Sequence, residues 1–157
     1  MPSLPHAISV ILAVLAFHAL GLFYDLYAVA PWYDIPMHFL GGFAMAVLGL
    51  AIVSRVKAQA TVGILPGKYA ELAGRFWLVI GFVAIIGIAW EWHEFLAGVL
   101  FHVDSWSESV DLLTGSAGPV YSTPSQPSIG DTMADFFFDL LGGVVAFVAY
   151  QWSLLRK

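Results

Sequence analysis

The 157-residue chain is 60% hydrophobic and only 11% charged, with mean hydropathy +0.84 and a net charge of −5. Soluble domains carry about 25% charged residues, so the composition excludes an ordinary soluble domain and points to an integral membrane protein. The absence of a basic patch argues against a nucleic-acid partner, and the absence of cysteine excludes disulfides, thiolate ligands and a cysteine nucleophile.

Several apolar runs reach the roughly 20 residues needed to cross the hydrocarbon core. The pattern predicts an all-α fold: one transmembrane domain over 1–157, an integral membrane four-helix bundle. The first helix is expected over about 6–27. It resembles a signal peptide in hydropathy but lacks a positive n-region, and its one small-residue cleavage pattern, Ala28-Val29-Ala30, is followed by Pro31. It therefore reads as a retained span. Its one strongly polar interior residue, His18, is expected to bond to a neighbouring helix. Tyr24, Tyr27, Trp32 and Tyr33 then cluster where an interfacial aromatic belt belongs.

The second helix is expected over about 36–56. Pro36 suits a first helical turn, with Asp34 placed either to cap it or to serve a site. Gly41, Gly42, Ala46 and Gly49 give it a small-residue face. A polar connection covers 57–75, and the third helix is expected over about 76–101. Residues 102–130 are rich in Gly, Pro, Ser and Thr and read as a long outer loop, with a short interfacial helix conceivable around 107–113. The fourth helix is expected over about 132–152. There Asp131 or Thr132 is a candidate cap and Asp135 a candidate partner in a capping box.

All six Lys and Arg residues (Arg55, Lys57, Lys68, Arg75, Arg156 and Lys157) fall at one end of this layout. The positive-inside rule then puts both termini in the cytoplasm (N-in/C-in) and the protein in the inner membrane. Of eleven acidic residues only Glu71 lies at that end. The outer half holds Glu91 and Glu94, which share a face of the third helix, and a stripe of Asp131, Asp135 and Asp139 on the fourth. It also holds the i, i+4 pair Asp34 and His38 on the second. His93 points about 100° away from Glu94 and is less central. The arrangement Asp34-x3-His38-x2-Gly41-Gly42 is echoed by Asp135-x3-Asp139-x2-Gly142-Gly143, so the second and fourth helices read as pseudo-equivalent, facing each other across the third.

No Lys or Arg is placed to neutralise these acids. Buried charges are paired, protonated or cation-bound, which leaves three options: protonated carboxyls, hydrogen bonds to His, Trp or Tyr, or a metal ion. Oxygen donors with one imidazole suit Mg, Ca, Mn, Fe or Zn. Inward carboxylates and His from several helices are how bundles build metal sites. The candidate ligands of a divalent metal ion are Glu91, Glu94, His38, Asp135, Asp139 and Asp34, and Asp25, Asp104, Glu108 and Asp111 read as solvated loop charges.

The residues Asp34, His38, Phe39, Gly41, Gly42, Glu91, Glu94, Asp131, Thr132, Asp135, Gly142 and Gly143 resemble the pattern of the VanZ-like families, and more closely that of the YjdF-like group of small inner-membrane proteins. VanZ-like members usually show Asn and Gln where this chain has Asp139 and Glu94. The resemblance implies a small multi-pass membrane protein and supplies no reaction. Three functions stay open. One is a metal-dependent enzyme acting on lipid or lipid-linked head groups, with 102–130 as a lid. The second is a proton- or cation-coupled transporter. The third is a structural or regulatory subunit that binds partner membrane helices through its glycine faces.

Overall fold

A computed structural model describes residues 2–55, 67–101 and 129–156. Every described element is helical. Four helices are long and apolar enough to cross a membrane: α1 (Leu4–Phe23), α3 (Asp34–Val53), α4 (Lys68–Phe101) and α5 (Ile129–Leu155). A single turn, α2 (Leu26–Val29), and a 3-10 turn, Pro31–Tyr33, link α1 to α3.

The first span is shorter than the expected 6–27. It is capped at its start by Ser3, whose hydroxyl accepts from the His6 amide at 3.3 Å. It stops at Tyr24-Asp25 because Asp25 takes a left-handed conformation (φ 54°), which Asp tolerates better than most residues. Hydropathy is blind to this break because α2 is as apolar as the helix it interrupts. The chain then folds back over the end of α1. Tyr33 donates to the Phe17 carbonyl at 2.7 Å, and the Tyr27 hydroxyl lies 2.6 Å from His18 Nδ1. Gly21 makes room for both rings, since a Cβ there would meet Tyr33 at 2.5 Å and Tyr27 at 2.8 Å. Of the four expected belt aromatics, Tyr24 and Trp32 are exposed, whereas Tyr27 is buried and Tyr33 half-buried.

α3 runs straight on from the 3-10 turn. Asp34 is therefore already helical and Tyr33 occupies the cap position without a side-chain bond. The expectation that Asp34 caps a helix starting at Pro36 fails, which frees its carboxylate. α4 starts at Lys68 rather than near 76. The intervening residues include strong helix formers, and Arg75 donates to Glu71 one turn back at 2.5 Å. α5 starts at Ile129, so Asp131, Thr132 and Asp135 lie within its first turns and the capping box expected at 131–135 does not form. The outer loop is shorter than the expected 102–130 at that end; the rest of that reading, including the helix around 107–113, lies outside the described residues.

α3 is central and packs on α1, α4 and, most extensively, α5. Lipid gives no hydrophobic drive to helix association, so close backbone packing has to supply it. At the crossing of α3 and α5 a Cβ on Gly42 would overlap the Asp139 carbonyl, and one on Gly142 would overlap the Phe39 carbonyl. The two helices thus meet backbone to backbone through reciprocal glycines rather than facing each other across the third span. Towards the Arg75 end the interior is apolar, built from Ala46, Leu50, Ala51, Val79, Val83, Ala146 and Phe147, with Phe76 and Phe147 edge to face at 5.3 Å.

Candidate functional site

The glycine crossing sets the site, because the turns of α3 and α5 just before it, on the side away from Arg75, carry its polar groups. His38 is one turn before Gly42 and is 5% exposed. Its Nε2 lies 3.6 Å from Asp34 Oδ1 on the same helix and 3.7 Å from Asp135 Oδ1 on α5. Its Nδ1 lies 3.5 Å from Asp139 Oδ1. Both ring nitrogens therefore face carboxylates, all standing beyond the usual hydrogen-bond distance of about 2.9 Å. Asp135 and Asp139 are as buried as His38.

Asp139 is seated between α3 and α4. A Cβ on Gly87 would come within 2.7 Å of its Oδ2, so α4 makes room for this carboxylate by having no side chain there. One turn outward, α4 supplies Glu91 and Glu94. Glu91 is 9% exposed, its Oε1 has no hydrogen-bond partner, and Thr132 of α5 faces its carboxyl. Glu94 Oε1 accepts from Trp90 Nε1 at 2.9 Å.

The structure brings together all six residues singled out in the sequence: Asp34, His38, Glu91, Glu94, Asp135 and Asp139. Two sets, Asp34-His38-Asp135 and His38-Glu91-Glu94, each hold one donor atom per residue within 4.8 Å of one another. The sets share His38 and draw on three helices. His93 and Trp92 are turned out of the bundle, as their helical phase requires.

Sequence reasoning missed four contributors. Trp90 read as a packing residue, yet it donates to Glu94; the i, i+4 spacing was the available signal. Gly87 gave no signal at all. His18 pairs with Tyr27 of its own returning chain, and it packs edge-on to Trp90 at 5.4 Å, which links α1 to α4. Burial, with Asp34 nearby, pushes the Tyr27 phenol up in pKa, so it keeps its proton beside His18.

A family model described as "Predicted membrane protein (DUF2238)" matches residues 2–156. No curated protein and no solved structure matches the chain.

Proposed function

The chain belongs to the DUF2238 family of predicted membrane proteins, and we propose that its acidic cluster is a divalent-cation site in the outer half of the bundle. The observation that supports this best is the set of separations around His38 Nε2. Two donors each about 2.1 Å from one ion stand about 3.0 Å apart at right angles and about 3.6 Å apart at 120°. The separations of 3.6 and 3.7 Å fit donors that share an ion better than donors that bond to each other. Glu91 adds independent support through a buried oxygen with no partner.

Charge points the same way. Five carboxylates surround one imidazole, and among the described residues no Lys or Arg pairs with them. In this reading Asp34, Asp135, Glu91, Glu94 and His38 Nε2 are ligands. Asp139 is a positioning residue: it takes the Nδ1 proton and so turns the Nε2 lone pair toward the ion, the usual service of a carboxylate behind a metal-bound imidazole. A bound ion would supply Lewis acidity or an activated water to a lipid or lipid-linked head group at the outer leaflet of the inner membrane. The kinship with VanZ-like and YjdF-like proteins belongs to the same proposal and rests on the short motifs around Asp34, Glu91 and Asp135.

Coupled transport is less well supported. A relay needs polar groups on both sides of the site, and the core next to it on the Arg75 side, from Ala46 and Val83 to Phe147, is apolar, with Tyr150 only at its far edge. The test is metal analysis of full-length protein in neutral detergent, equilibrated with Mg, Ca, Mn or Zn. Wild type should retain about one ion per chain, and His38→Gln and Glu91→Gln should each lower affinity at least tenfold, as loss of even a supporting residue does. Failure of wild type to retain any of the four ions overturns the cation site in favour of a protonated network.

A further inference from the structure

A cavity of about 130 Å³ lies between α1, α3 and α4. Most of its wall is aliphatic: Ile11, Val14 and Leu15 from α1, Met45 from α3, and Val83 and Ile86 from α4. All of these lie within apolar spans. Its other end is polar, where Tyr27, Asp34, Trp90 and Glu94 close it and the carboxylate cluster begins. The one space is thus greasy at membrane depth and acidic at its outer end.

Its setting indicates how it is reached. α1 is seated on α3, and α4 meets α1 through the His18–Trp90 ring contact at the polar end. Inward of that contact the facing side chains of α1 and α4 line the cavity instead of filling the seam. At that depth a membrane crossed by these spans would place lipid chains against the seam. An engineered apolar cavity of about 150 Å³ holds a benzene molecule, so this one has room for a hydrocarbon segment of about half a dozen carbons.

We propose that the cavity binds the hydrocarbon next to the head of a membrane lipid that enters between α1 and α4, with a hydrogen-bond-donating head, an alcohol or amine, against Asp34 and Glu94. The acceptor-rich polar end selects this head. A carboxylate head would face Asp34, Glu94 and Asp139, which outnumber the two imidazoles at that end, His18 and His38, with no Lys or Arg among the described lining residues to offset them. The head would share Asp34 and Glu94 with the proposed cation, yet it does not depend on one, since an alcohol or amine needs no ion to meet a carboxylate.

The test is photolabelling of the full chain in detergent, with chelator present so that the outcome does not depend on an ion. The probes are dodecanol, dodecylamine and dodecanoate, each with a diazirine near the head. The alcohol and amine should label peptides spanning Val83–Trp90. Val14→Trp, which fills the cavity, should cut that labelling about tenfold. Leu12→Trp, on the lipid-facing side of the same helix and 60% exposed, should leave it unchanged. Equal labelling in the two variants, or none in wild type, overturns the cavity site. Labelling by dodecanoate as strong as by dodecanol overturns the head-group assignment.

Discussion

The reciprocal glycine crossing makes a sharp prediction from the smallest substitution available. In Gly42→Ala the new Cβ overlaps the Asp139 carbonyl, which is backbone and cannot swing aside. Carbon and carbonyl oxygen approach no closer than about 3.3 Å, so α5 has to retreat by more than about 1 Å. A gap of 0.5–1 Å already forfeits about a quarter to a half of a dispersion contact, and overpacking of this kind costs about 1–3 kcal/mol. Retreat of α5 also carries Asp135 and Asp139 away from His38, so cation affinity falls together with stability. Gly81→Ala is the control, because that site has nothing within 4 Å and sits in the middle of α4. The same change there should stabilise by about 0.5–1 kcal/mol through helix propensity. Gly42→Ala and Gly142→Ala act on one separation, so the double variant should cost clearly less than the sum. The assay is the thermal midpoint in detergent followed by tryptophan fluorescence. Equal shifts for Gly42→Ala and Gly81→Ala would refute the backbone crossing.

Three further outcomes are expected. Asp139→Asn, which keeps the shape of the side chain, should weaken cation binding about 10–100-fold with little change in the number of ions bound at saturation; a lost equivalent would instead make Asp139 a ligand. Tyr27→Phe should flatten the alkaline limb of the stability profile. The folded-state pKa of Tyr27 is raised, so its contribution is fully present below the unfolded value of about 10 and is lost as pH rises above it; identical wild-type and variant profiles above about pH 10 would contradict this. Glu91→Gln should raise the thermal midpoint in chelator while it lowers cation affinity, and a lower midpoint in chelator would show that the Glu91 carboxylate is already compensated within the fold.

What the sequence revealed and what it hid divide along a physical line. Helix identity and the i, i+4 stripes follow from local periodicity, and His38 and the five carboxylates around it are found together as that periodicity implies. The Gly41-Gly42 and Gly142-Gly143 echo also carried real information, because closeness of two helices is limited by the smallest side chain on each. Which helices touch is a tertiary matter, and there the reading put α3 and α5 on opposite sides of α4. The break at Asp25 and the unused cap at Asp34 were hidden for another reason. Both depend on the backbone path of residues 24–33, where a left-handed residue and a 3-10 turn replace the plain loop that capping rules assume. Gly87 was invisible because its role is to be absent where a carboxylate from another helix must sit.

The expected gain in stability from Glu91→Gln ties these features together. Two charges 4.8 Å apart at an effective dielectric of about 20 repel by about 3 kcal/mol, and the cluster contains two carboxylate pairs within that distance, Asp34–Asp135 and Glu91–Glu94. Protons or cations must relieve most of that, or Glu91 would be strained against Glu94 on α4 and Asp34 against Asp135 between α3 and α5. Packing elsewhere is largely independent of the cluster's side chains: the apolar interior around Val79, Val83 and Phe147 and the backbone crossing at Gly42 and Gly142 hold the helices. The outer half is therefore free to carry a frustrated arrangement that a binding event can relieve. A stabilising Glu91→Gln that also abolishes cation binding would mark the carboxylate as kept for its ligand at the expense of the fold. In that case added cation should raise the midpoint of wild type and leave that of the variant unmoved.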